Sequence, residues 1–215
     1  MSPGLGGPIS AMMTCRPVPS PPASRRAPPS LAAAAGIVLA LTGCGGAVPT
    51  TFDLTALPGA ARAGAARRSI VVAEPVGIQP FEADRIIVRA GGTVSFLGGG
   101  QWADRLPRLI QTRLIQSLEN AGRLRSVGRP GDKVAADIIL VSDIRAFDIV
   151  APSREAVVDL SVKLVQDSTG TVTAARVFQA RVPVEQVAAP QAANGLDRAL
   201  SIVLADVVRW VGAGG

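Results

Sequence analysis

The chain reads as an α+β protein, a mainly antiparallel sheet with two amphipathic helices packed on one face. Three observations predict this. Apolar and polar residues alternate through residues 156–166 and again through 172–184, with Asp167-Ser168-Thr169-Gly170 as a turn between them. Apolar residues recur at helical spacing from Asp104 to Asn120 and again after Asn194. The order is then strands, helix, a run of strands, helix, which suits helices segregated to one side of a sheet.

The N-terminal segment has a different character. Residues 1–30 are rich in Pro, Ser and Ala, carry only the positive charges of Arg16, Arg25 and Arg26, and show no hydrophobic period. The apolar run from Leu31 to Leu41 spans 11 residues. That length suits a signal-peptide core and falls short of the roughly 20 residues a spanning helix needs. It ends in Leu41-Thr42-Gly43-Cys44, which resembles the bacterial lipobox. The resemblance implies diacylglycerol transfer to the Cys44 thiol and cleavage between Gly43 and Cys44. A thiolate is the natural nucleophile for such a thioether. Residues 1–43 are therefore expected to be a signal peptide, 44–50 a lipidated N-terminus and tether, and 51–215 a single α+β periplasmic domain. Cys15 would leave with the leader, so the mature chain could form no internal disulfide. Two or three acyl chains, at about 0.8 kcal/mol per buried methylene, anchor essentially permanently. The six-residue tether, Gly45 to Thr50, reaches at most ~20 Å.

Within the mature chain, Thr51-Phe52-Asp53-Leu54-Thr55 predicts a short first strand, followed by an Ala/Gly/Arg loop through Arg68; a docked strand over Thr51–Leu57 would hold the domain close to the bilayer. Ile70-Val71-Val72 opens a second strand, stopped near Pro75. Residues 85–89 and 93–97 flank Ala90-Gly91-Gly92 as a hairpin. Gly98-Gly99-Gly100 is expected to break that strand as a hinge; no Lys-Ser or Lys-Thr follows, so it is not a phosphate loop. Leu106, Leu109, Ile110, Leu114 and Leu118 form one helical face, with Asp104 as N-cap, Pro107 in the first turn and Gly122 as stop. Trp102 is expected to pack back onto this helix. Residues 137–150 predict a long strand, interrupted by Asp143, Arg145 and Asp148, whose far end meets solvent. The last helix is expected to begin with Asn194 as N-cap and Asp197 in its first turn. Its stripe is Ala199, Leu200, Val203, Val207, Trp210 and Val211. Asp197, Arg198, Asp206 and Arg209 make a membrane-spanning role for it expensive, so it is expected in the core.

Composition narrows the functional classes. The net charge is +6, but without residues 1–43 there are 19 basic against 16 acidic residues. The arginines are spread out and aromatics make up 3% of the chain, so neither a basic patch nor stacking platforms point to nucleic acid. There is no His, which removes the commonest general base and the usual zinc sets. Lys133 and Lys163 lie outside any Ser-x-x-Lys pattern. Glu74, Glu82, Asp104 and Asp148 could serve as acid/base pairs, but no spacing singles out a pair, and each reads more simply as solvated or capping. No enzyme, cofactor or metal site is expected. The one site residue is Cys44, the lipidation site.

Further motifs carry a family resemblance. They are the lipobox at Cys44, the short strand after it, and Ile70-Val71-Val72-Ala73-Glu74-Pro75-Val76. Phe81-Glu82-Ala83-Asp84-Arg85-Ile86-Ile87-Val88-Arg89 and Trp102-Ala103-Asp104-Arg105-Leu106-Pro107 follow. In their order they resemble the auxiliary lipoproteins of ABC-type transport systems, such as those of paraquat-inducible and MCE-type lipid-transport loci. The family commonly has Tyr in the first strand, where this chain reads Thr50-Thr51-Phe52-Asp53-Leu54. The resemblance implies a lipid-anchored periplasmic protein working with an inner-membrane ABC transporter and an MCE-domain protein. Together they would move lipids or other apolar molecules between the membranes, and direct lipid binding stays open. Gly45 and Gly46 after the cysteine resemble sorting to the outer membrane. The alternative reading is an outer-membrane lipoprotein that activates a cell-wall enzyme or assists assembly of another envelope complex.

Overall fold

A computed structural model describes residues 48–59 and 68–214, so Cys44 and the leader boundary lie outside the described residues. In chain order the elements are β1 (Thr50–Phe52), β2 (Ser69–Val72), β3 (Val76–Gly77), β4 (Arg85–Ala90), β5 (Thr93–Trp102) and α1 (Leu106–Asn120). They continue with β6 (Ser126–Gly128), β7 (Ile138–Val150), β8 (Glu155–Gln166), β9 (Val172–Pro183) and α2 (Ala189–Ala213).

The sheet is organised on β7. One edge of β7 pairs antiparallel with β8 along its whole length, and β8 pairs antiparallel with β9. The other edge takes three short parallel strands in succession: β2 at Ile138–Leu140, β3 at Asp143 and Ile144, and β4 at Asp148–Val150. β6 extends the sheet beside β2; β4 turns back into β5, which carries β1. The fold class is thus the expected α+β: a mixed, mostly antiparallel sheet with two helices. β2 is buried at all four residues, as a central strand between two others requires. β3 and β6, of two and three residues, are too short to leave a period in the sequence.

The alternation in β8 and β9 does what its period demands. Val158, Leu160, Val162 and Leu164 are buried, as are Phe178, Ala180, Val182 and Val184, and they join residues of both helices in one core. In β7 the buried face runs through Ile138, Leu140, Ser142 and Ile144. A bulge at Arg145 shifts the register, and Phe147 and Ile149 resume the same face. The end of this strand was expected in solvent. Instead Phe147, Asp148 and Ile149 are all buried, because β4 covers that edge.

The glycine run also differs from expectation. Gly98-Gly99-Gly100 lies inside β5, where pairing slips from Ile87↔Phe96 to Arg85↔Gln101. Gly99 has φ +79°, which favours glycine. A Cβ on Gly100 would come within 2.6 Å of Ala189 Cβ and 2.8 Å of Phe52 Cε2. The run is therefore a bulge that lets β1 and the start of α2 approach the strand, not a hinge.

Both helices start elsewhere than the capping signals suggested. α1 begins at Leu106 with Arg105 at the N-cap. Asp104 instead accepts the Arg105 N–H (2.8 Å), while the Leu106 N–H donates to the Ala83 carbonyl (3.1 Å). A neighbouring turn satisfies the helix end in place of a side-chain cap. All five expected core residues of α1 are buried. α2 begins at Ala189, with Pro190 in its first turn, so Asn194 and Asp197 lie inside the helix. Its stripe packs on β8 and β9, with Trp210 edge-on to Phe178 at 5.5 Å. Among the described residues no helix is long and apolar enough to cross a membrane. Trp102 is buried, its ring edge-on to Phe147 of β7 at 5.8 Å.

Candidate functional site

Three of the four singled-out carboxylates meet at the start of α1. Arg105 donates to Glu74 Oε1 (2.8 Å) and lies 3.4 Å from Glu82 Oε2, while Asp104 pairs with Arg108 at 3.3 Å. Glu82 Oε1 also accepts the Gly77 N–H (3.1 Å), which ties β3 to this cluster. Asp148 lies apart, buried under Arg89, whose Nη2 and Nε reach Oδ2 at 2.5 and 2.9 Å. Lys163 pairs with Asp143 across the sheet at 3.3 Å, and Lys133 is exposed. Each of the four carboxylates is thus held by an arginine, an arrangement that organises loops and strands. Among the described residues no three His, Cys, Asp or Glu side chains gather as a metal ion would need.

A better candidate lies on the helix layer. After β1, residues 53–59 form no strand beyond Phe52 but cross both helices as a strap. Asp53 pairs with Arg113 of α1 at 2.6 Å. The Thr55 N–H and hydroxyl donate to the two carboxylate oxygens of Asp197 on α2, both at 2.7 Å. The Leu57 N–H donates to Ser117 Oγ (3.1 Å), and Asn120 Nδ2 donates to the Leu57 carbonyl (2.7 Å). Leu54 of this strap is buried in the core. Asp197, expected at a helix N-terminus, therefore acts as a long-range clasp.

Where the strap ends, a cleft of about 370 Å³ opens between the C-terminal parts of α1 and α2. Leu57, Pro58, Ala121, Ala205 and Val208 supply apolar lining, with Arg123 and Arg209 beside them. Arg209 is partnered by Asp206 at 2.9 Å, whereas Arg123 has no acidic partner among the described residues. An apolar floor with a guanidinium at its edge suits an apolar group bearing an anionic end. A second, polar cleft of about 310 Å³ is lined by Arg68, Asp137, Gln166 and Thr173 among others. Sequence reading missed both clefts. Their linings come from segments far apart in the chain, and each residue alone looks like an ordinary helix-end or loop residue.

The fold has known counterparts. The family model for the ABC-type transport auxiliary lipoprotein component matches residues 52–208. The chain belongs to this family. The match spans the strap, α1, most of α2 and nearly all of the sheet. That family is the auxiliary lipoprotein component of ABC-type transport systems, and a lipid-anchored place in the cell envelope is what membership of it implies. An uncharacterised protein of Bradyrhizobium diazoefficiens is 30% identical over 143 residues, which are 66% of this chain and 39% of that protein. The chain thus spans about two fifths of that relative's length. A crystal structure of a Xanthomonas campestris protein superposes with a TM-score of 0.69 at 22% identity, covering 76% of this chain and 95% of the other. A second crystal structure, of an uncharacterised protein, gives 0.60 at 12% identity, covering 76% and 98%. These two likenesses concern the fold.

Proposed function

We propose that this auxiliary lipoprotein serves an MCE-linked ABC transporter that moves lipids or other apolar molecules between the inner and outer membranes. It works from the periplasmic side of the outer membrane as a docking or receiving component, and ATP hydrolysis belongs to another subunit. The observation that carries this reading is the family match over residues 52–208, joined to the lipobox ending at Cys44. Two features of the domain support it. The cleft between α1 and α2 has an apolar floor with Arg123 at its edge, the chemistry that an acyl chain with an anionic head would use. The singled-out carboxylates are engaged with arginines, which favours binding over catalysis.

The test is cross-linking and affinity purification of the tagged lipoprotein from membranes. A transporter permease or ATPase and an MCE-domain protein should be enriched. Deletion of the gene should weaken the envelope's resistance to detergent as strongly as deletion of the transporter does. Recovery of a cell-wall enzyme in place of transporter subunits, with normal detergent resistance, would sink the transport reading.

A further inference from the structure

The described chain begins at Val48, four residues beyond Cys44. Val48 is 91% exposed, and Thr50 pairs in parallel with Gly100 of β5. Traced backwards, β1 therefore points toward the start of β5 and its hairpin with β4. Six residue steps from Thr50 to Cys44 cover at most ~20 Å. Phe96 is four steps from Gly100 along β5, at most ~13 Å, on the strand next to β1, ~4.8 Å away. The lipid on Cys44 is thus leashed within reach of the β4–β5 hairpin.

That hairpin presents a distinct surface. Val94 and Phe96 are 45% and 48% exposed. The register puts them on the sheet face turned away from the helices. Phe96 pairs with Ile87, Ile87 with Asp148 and Asp148 with Val157, whereas the neighbouring Ala156 packs beneath Gly195 of α2. Arg85 lies over the Phe96 ring at 5.2 Å and has no acidic partner among the described residues. Beyond the three residues paired with β1, the outer edge of β5 has no strand partner among the described residues. Nothing lies within 4 Å of where a Cβ would sit on Gly91, Gly92, Gly98 or Gly99, so the hairpin turn and the edge are bare.

We infer that the β4–β5 hairpin is the membrane-facing surface of this lipoprotein, with Val94 and Phe96 set into the headgroup region of the leaflet that holds the Cys44 lipid. An aromatic ring capped by a guanidinium matches such a layer, apolar at one end and anionic at the other. The short leash holds the bilayer there at high effective concentration, so even two modest apolar side chains suffice to orient the domain. The free edge of β5, exposed and glycine-rich, would be covered by lipid headgroups instead of by another chain. This inference rests on acylation of Cys44.

The test uses the full-length, processed lipoprotein, whose native mature cysteine is acylated. F96C and I202C are each labelled with an environment-sensitive fluorophore and placed in phosphatidylethanolamine–phosphatidylglycerol vesicles. Ile202 is equally exposed, at 48%, but sits on α2 across the sheet. Flotation with the vesicles reports the anchor, and C44A supplies its negative control. Emission from position 96 should shift to the blue and rise roughly twofold on vesicles, with position 202 unchanged, as shallow insertion requires. Hydrogen exchange on the unsubstituted protein should show the amides of 93–97 slowed by vesicles. Flotation with position 96 and its amides as solvent-accessible as position 202 overturns the orientation alone. Failure to float overturns both the anchor and this surface.

Discussion

At the scale of single residues, the informative positions are those where a local rule is broken for a long-range reason. Gly195 sits in the interior of α2, where glycine costs about 1 kcal/mol relative to alanine. A Cβ there would overlap Val184 Cγ1 and come within 3.1 Å of Ala156 Cβ. Overpacking of this kind costs about 1–3 kcal/mol, which outweighs the propensity gain. G195A should therefore lower the urea midpoint, by up to about 2 kcal/mol in stability; a midpoint at or above that of the parent would mean that α2 can lift off β8 freely. Asp197 and Asp148 follow the same logic. Each looked like a solvated or dipole-favoured carboxylate, and each is engaged by a partner far away in sequence, Thr55 and Arg89.

At the scale of elements, β5 shows how far a glycine signal can be read. Three glycines in a row mark an interruption, and the interruption is real, but it is a bulge within a strand of ten residues. The three positions differ in what they require. Gly98 faces open space with an ordinary backbone, Gly99 needs positive φ, and Gly100 needs closeness to Ala189 and Phe52. In thermal unfolding G98A should be neutral to within about 0.5 kcal/mol. G99A should lose about 1–2 kcal/mol to left-handed backbone strain. Equal melting temperatures for the two variants would show that the bulge has no fixed geometry. The helices teach a related lesson. Their apolar stripes were legible residue by residue because 3.6-residue periodicity is intrinsic to the helix. Their starting points were not, since Ala83 and the close approach of β5 to Ala189 set them.

At the scale of the whole molecule, the strap of residues 53–59 links β1 to both helices and bounds the apolar cleft. It also separates two tasks along the chain. The core extends from Leu54 to Val211, while the expected anchor precedes it at Cys44. C44A should consequently leave the domain's melting temperature unchanged while moving the protein out of the processed, membrane-bound fraction. An unmodified and normally processed N-terminus on the native protein, seen by mass spectrometry, would remove the anchor from the account.

The fold class, the β8–β9 hairpin and the core faces of both helices were legible in the sequence. These are properties of short windows: a period of two or 3.6 residues needs no knowledge of what lies across the sheet. The parallel attachment of β2, β3 and β4 along one edge of β7 was not legible, nor were the burial of Asp148, the strap across the helices and the cleft it borders. Those features depend on which distant segments meet. Backbone pairing and packing settle that cooperatively, so a residue's own neighbours in the chain carry no trace of it.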